Sequence, residues 1–317
     1  MAVVDEERDL LVGTTREVLQ RTSPADVAAV LGELGWFDLR RDDRATAESL
    51  LFELQGEVLA TSAALDIVLA EALGQAAADP VHGPAVALPL PGLGAPPGEG
   101  RSDGRVKVDG LLAGPDAEEV LVPLSGGGIV SATAAALEVT PVEGIDPWSG
   151  WRRARGLLDH GLRRAADWEV AVAAGRRALA HELVGLARAM LSVAVDHVRE
   201  RRQFGRPVGS FQALQHRLAD VRVAIAAAEL AAEAAWEDDD PLAATMAKIL
   251  AGMAARTAAK HCQQACGGMG FTWEHPLHRY VRRGLALDQL LGSAPELQSL
   301  LGEELRRCAT IPRLVHL

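Results

Sequence analysis

With 317 residues, 49% of them apolar, and a net charge of −11, the chain can bury two or three cores and is not globally disordered. The excess of 43 acidic over 32 basic residues excludes a general nucleic-acid binder, whose affinity needs a broad basic surface. Alanine and leucine dominate, while tyrosine occurs once and phenylalanine five times, which favours helix over sheet.

From the N-terminus, Asp5, Glu6, Glu7 and Asp9 interrupt any apolar run near Met1, so no signal peptide is expected. No unbroken apolar stretch reaches the roughly 20 residues of a membrane span. Residues 1–78 read as an N-terminal helical domain. Ser23-Pro24 followed by Asp26 predicts a helix start: a capping hydroxyl, a proline in the first turn and an acid at the positive helix end. The segment from Ala45 to Leu73 continues with long apolar-periodic runs and no breaker except Gly56.

Residues 79–150 change character. Glycine, proline and valine rise, Pro89, Pro91, Pro96 and Pro97 are closely spaced, and the runs 105–108 and 120–122 read as strands. This predicts a small β domain. Residues 151–317 return to helix. Leu179, Leu183, Leu186, Met190 and Val193 form one stripe, and Leu214, Leu218, Val221, Ile225, Ala228 and Ala232 form a second. Asp240-Pro241 opens a third helix that ends at Gly267-Gly268. Ser293 with Glu296 is a capping box for a fourth, whose apolar side carries Leu297, Leu300, Leu301 and Leu305. The expectation is a mainly α chain with a small β domain, closed by an antiparallel four-helix bundle.

Cys262, Cys266 and Cys308 suit a reducing cytoplasm better than a disulfide scaffold. Cys262 and Cys266, four apart on a helix, could offer two metal ligands, but nothing obvious completes the set and no metal is expected.

Two stretches stand out. Arg199 to Gln212 crowds four arginines, two glycines and a proline between two helical patterns. Arginines near a helix C-terminus need no ligand, yet that does not account for Gly205-Arg206-Pro207-Val208-Gly209 where a short turn would serve. Gln264 to Pro276 holds three glycines in four positions, which is either a helix cap or bare backbone offered to a phosphate.

Together they resemble the acyl-CoA dehydrogenase family. Arg201-x-Gln203-Phe204-Gly205, with Phe211-Gln212 on the next helix, resembles that family's flavin-contacting segment. Gln264-x-x-Gly267-Gly268-x-Gly270-Phe271-Thr272-x-Glu274-x-Pro276 resembles its second cofactor segment. The likeness is specific from about residue 175 to 305, and the order of helices, β region and bundle agrees with the family's three-domain build. It implies an FAD-dependent dehydrogenase of acyl-CoA substrates, with an electron-transfer flavoprotein or similar acceptor. Arg201, Gln203, Phe204, Gly205, Gln212, Gln264, Gly267 and Gly268 would be its FAD contacts, Arg201 on the pyrophosphate.

The resemblance breaks at the base. Where most of the family carries Glu-Gly-Thr, this chain has Leu291-Gly292-Ser293, and the alternative neighbourhood on the first bundle helix reads Ala174-Gly175-Arg176-Arg177. Glu182 and Asp288 are the nearest carboxylates. The family's Thr-x-Pro-x-x-Gly-Ser-Asp loop is missing from the β region as well. Segments that reach a neighbouring subunit's FAD are kept, and those serving the chain's own flavin are lost. The expectation is therefore a partner subunit, in a cytoplasmic α2β2 heteromer with a full-length acyl-CoA dehydrogenase subunit. The alternatives are a self-sufficient enzyme using Glu182 or Asp288, and a flavin-free structural or regulatory bundle.

Overall fold

A computed structural model describes residues 2–75, 80–92, 95–159, 163–237 and 240–307; Cys308 lies outside them. The N-terminal helices are α1 (Ala2–Arg21), α2 (Val27–Glu33), α3 (Trp36–Asp42), α4 (Arg44–Val58) and α5 (Ala64–Ala72). The predicted start at Ser23-Pro24 is displaced. The Ser23 carbonyl accepts from the amides of both Asp26 and Val27, so Pro24 sits in a turn and α2 begins at Val27. Ser23 instead donates its hydroxyl to Asp26 Oδ2, 2.6 Å away.

The segment from Ala45 to Leu73 is two helices, and it breaks after Val58 rather than at Gly56. Leu59 takes a left-handed φ of 57° and closes α4. The break has a tertiary cause: carbonyls freed there are taken by side chains from far along the chain. Tyr280 Oη donates to Glu57 O at 3.0 Å and Arg283 Nη1 to Ala60 O at 3.0 Å. Neither partner is visible to a local pattern.

The β region forms two small sheets. Parallel β1 (Ala85–Val86) and antiparallel β5 (Ile129–Thr133) flank β4 (Glu119–Pro123). The second sheet orders β2 (Gly98–Gly100), β3 (Val106–Leu112), β7 (Arg152–Leu158) and β6 (Glu138–Pro141). Val108, Val120, Val122, Val130 and Ala154 fill the core between them. The expected domain end at residue 150 is too early, because β7 pairs with β3 along its whole length, Val106 opposite Leu158 through Leu112 opposite Arg152. Its sequence Arg-Arg-Ala-Arg-Gly-Leu-Leu lacks the β-branched residues that mark a strand.

The bundle is α6 (Trp168–Glu200), α7 (Gln212–Ala234), α8 (Pro241–Cys266) and α9 (Leu277–Gln289), with α10 (Ala294–Arg307) packed on α8. The fourth bundle helix is thus α9, which the apolar pattern does not announce, and the helix at Ser293 is a fifth. The Ser293 capping box does form: its amide and hydroxyl both bond Glu296 Oε2, at 2.9 and 2.7 Å. Among the described residues, α6 alone is long and apolar enough to cross a membrane, but 67% of its apolar window is buried. It is the central helix, packed on α4, α7, α8 and α9.

Candidate functional site

Up-down packing puts the C-termini of α6 and α8 at one end of the bundle, and the two unusual stretches with them. Arg202–Gln203 (β8) and Arg206–Pro207 (β9) pair as a two-residue hairpin. Its central residues, Phe204 and Gly205, have φ of 54° and 78°, the positive pair that a tight hairpin turn requires. Phe204 is 91% exposed. Arg206 lies over the Phe211 ring, 4.1 Å from its centroid. Gln212 is the first residue of α7 and is exposed, as are Arg201 and Gln203. Among the described residues none of Arg199, Arg201, Arg202 or Arg206 has a salt-bridge partner.

At the end of α8, Gln264 and Gly268 are exposed and Gly267 adopts φ 59°. A Cβ at Gly268 would meet nothing within 4 Å, so no contact of this chain demands a glycine there. A cavity of about 500 Å³ is lined by Lys260, Gln263, Gln264, Gly267, Phe271 and Val281. Exposed guanidinium, amide donors and bare backbone fit the pyrophosphate of a dinucleotide. Behind these segments, His197, Cys266 and His275 bring their nitrogen and sulfur atoms within 4.8 Å of one another, which joins the end of α6 to the glycine turn. Leu277 N–H donates to His275 Nδ1 at 3.3 Å. With Nδ1 accepting, Nε2 is the nitrogen of this ring that carries the proton. Among the described residues, Cys266 is the thiol of this cluster and Cys262 is not part of it.

The opposite end holds a larger cavity, about 550 Å³, walled by Leu90, Trp168, Val172, Leu291, Leu297 and Leu300. Leu291 has φ 55° and is 6% exposed. Arg176 reaches the same cavity; its Nε donates to Leu291 O at 3.0 Å and its Nη1 to Thr245 Oγ1 at 2.9 Å. The two places where the sequence led us to look for a base therefore face one space, one holding a hydrocarbon and the other a cation. From Arg176 to Arg201 the helix rises about 37 Å at 1.5 Å per residue. Cavity and hairpin are at opposite ends of the bundle.

Neither carboxylate candidate lines this cavity. Glu182 is fully buried where α6 meets α4. Burial pushes its pKa up to about 7, against the opposing pull of the Arg283 charge and a hydrogen bond with Gln55. Asp288 is 1% exposed and saturated: Arg256 Nε donates at 2.9 Å, Ala294 N–H at 3.1 Å, and Lys248 Nζ stands 3.7 Å away. The carboxylate that does line the cavity is Glu296, held below the usual range by its bonds from the Ser293 backbone and side chain. Sequence reasoning had treated Glu296 as a cap and Arg176 as a missing acid; only helix packing brings them to one cavity.

Residues 159–299 match the acyl-CoA dehydrogenase C-terminal domain. The chain is 43% identical over 126 residues to acyl-CoA dehydrogenase IpdE2 of Mycobacterium tuberculosis, a match covering 40% of each chain. To acyl-CoA dehydrogenase FadE34 of the same organism it is 42% identical over 123 residues, 37% of this chain and 17% of that one. The matches thus span less than half the length of these curated relatives. Among solved structures, a variant of the Tcur3481-Tcur3483 steroid ACAD is similar with a TM-score of 0.76 and 25% identity, over 95% of this chain and 98% of that one. The ChsE4-ChsE5 complex from Mycobacterium tuberculosis superposes with a TM-score of 0.75 at 20% identity, over the same shares, which speaks for the fold.

Proposed function

The chain belongs to the acyl-CoA dehydrogenase family, and from that premise we propose that it is a partner subunit, lacking the base and completing the FAD site of a full-length acyl-CoA dehydrogenase subunit. One observation carries the reading. The cavity where the family's base would stand is built from Leu291 and Arg176, while the dinucleotide-type segments face solvent at the far end of the bundle. FAD, when bound, would take the hydride from the β-carbon of an acyl thioester as a base takes the α-proton. Leu291 has no lone pair to take that proton, and a guanidinium holds its own at any working pH. What this chain supplies is binding: Arg201 and Gln203 for the pyrophosphate, Phe204 and Gly205 at the hairpin tip against the dinucleotide, and Gln212, Gln264, Gly267 and Gly268 for its other edge.

A self-sufficient enzyme is disfavoured because Asp288 is saturated by Arg256, Lys248 and the Ala294 amide, and Glu182 lies away from the cavity. The partner reading also agrees with the two-component names of the Tcur3481-Tcur3483 and ChsE4-ChsE5 structures. We propose a cytoplasmic complex, in keeping with the free, buried Cys262 and Cys266, as an α2β2 heteromer acting on a fatty, branched or steroid acyl-CoA. An electron-transfer flavoprotein or similar acceptor would reoxidise it.

The test is a visible spectrum of the purified chain alone and after co-expression with a full-length dehydrogenase subunit. We expect a colourless chain alone, and flavin with acyl-CoA dehydrogenase activity in the complex. Flavin in the lone chain that an acyl-CoA bleaches would overturn the reading. If Arg201→Ala left the complex's flavin content unchanged, the chain would instead be a flavin-free structural partner.

A further inference from the structure

The cavity at the Leu291 end is of a size typical of small-molecule sites, at about 550 Å³. Its walls are mostly aliphatic or aromatic, with Gln289, Ser299, Glu296 and Arg176 the polar side chains among them, and Arg176 the one cation. Arg176, half-buried, spends Nε on the Leu291 carbonyl and Nη1 on the Thr245 hydroxyl, both neutral acceptors. Among the described residues no carboxylate comes within ion-pair distance of it, and its Nη2 is neither bonded nor sealed from solvent. Glu296, the acidic residue on the wall, is committed to Ser293. Desolvation presses on the guanidinium and lowers its pKa, with Glu169 the opposing charge.

A guanidinium keeping donors free in an apolar space is matched by an anion carried on an apolar body. A neutral alcohol or ester could fill the walls but would leave that charge unanswered. We infer that this cavity binds an apolar carboxylate, Arg176 receiving the carboxylate and Trp168, Val172 and Leu297 the hydrocarbon. The bound acid holds α6, the α9–α10 corner and α10 together. That it is retained rather than oxidised rests on the proposed function; that it binds does not.

Calorimetric titration of the full chain with dodecanoate, dodecan-1-ol and the mono-CoA thioester of dodecanedioic acid tests this. The expected result is saturable one-to-one binding of dodecanoate at least tenfold tighter than dodecanol. Arg176→Gln, which keeps a donor for the Leu291 carbonyl, should bring the acid down to the alcohol's affinity, and Arg176→Lys should restore part of the difference. If the thioester binds in place of the free acid, the carboxylate is one carried on an acyl-CoA; if both bind, the free acid suffices. Equal affinity for acid and alcohol in the unmodified chain, no saturable binding of either carboxylate, or a tenfold preference surviving in Arg176→Gln would overturn the inference. Because binding and not turnover is read, a flavin-containing active chain would defeat the proposed function and leave this result standing.

Discussion

Phe204 combines two features that a chain folding for itself avoids: a left-handed backbone at a bulky residue and 91% exposure of its ring. The conformation costs roughly 1 kcal/mol, and its edge-on contact with Phe211 at 6.2 Å returns little of that. Phe204→Asn should therefore leave the isolated chain as stable or slightly more so in thermal melts, since asparagine tolerates this turn, while weakening assembly with a flavin-bearing partner. Gly205→Val, at φ 78°, should instead lower stability by about 1–2 kcal/mol. Asp288 belongs to the opposite class. Removing it takes away the countercharge 3.7 Å from Lys248, whose side chain is 0% exposed and keeps only the neutral carbonyls of Asp288 and Gly292, so Asp288→Ala should cost about 3–5 kcal/mol in urea denaturation. Adding Lys248→Met should recover part of that loss. A stable Asp288→Ala chain would contradict the structural role given to this carboxylate.

Between elements, the decisive contact is where α4 crosses α6. A Cβ at Gly56 would stand 2.0 Å from the Glu182 carbonyl oxygen, and one at Gly185 would stand 1.9 Å from that of Glu53. The two backbones touch, and either glycine carries the N-terminal domain onto the bundle. Gly185→Ala, ordinarily stabilising within a helix, should here cost about 1–3 kcal/mol or more because the helices must separate. Calorimetric melting checks the sign. In the sequence Gly56 reads as a weakness in a helix; across the interface it is the point of closest approach. Around that crossing, His181 Nδ1 and Arg188 Nη1 bond the two oxygens of Glu53 at 3.0 and 2.6 Å, fixing how far the helices rotate.

Across the whole molecule, two buried carboxyls stand at the junctions between units. Asp66 of α5 accepts the Val86 amide of β1 at 2.8 Å, and burial pushes its pKa up to about 7 despite that bond and the Arg152 charge. Glu182, at the α4–α6 crossing, is also raised to about 7. A group whose folded pKa is raised binds its proton more tightly in the native state. Its stabilisation is full below the unfolded value, near 3.8 for Asp66 and 4.5 for Glu182, and is lost as pH rises through about 7. Each amounts to a few kcal/mol at the order of magnitude. In urea midpoints taken from pH 4 to 8, Asp66→Asn with Glu182→Gln should flatten this component relative to the unmodified chain. Identical pH profiles would mean that neither carboxyl is protonated in the folded state.

By itself the sequence determined what depends on near neighbours: helix where alanine and leucine recur every three or four residues, the Ser293–Glu296 cap, and the order helices, sheet, bundle. It also carried the two cofactor-type segments, because a hairpin and a glycine turn are local chemistry. Only tertiary structure decided what depends on partners distant in the chain. β7 is a strand because β3 lies beside it, despite three arginines. α4 stops at Val58 because Tyr280 and Arg283 take up the carbonyls of Glu57 and Ala60. α9 escaped notice since its buried Arg283 answers Asp146, 137 residues away. Above all, Arg176 and Leu291, 115 residues apart, become one cavity only when α6 and the end of α9 meet. Periodicity records which face of a helix is apolar, but not which other face it will find.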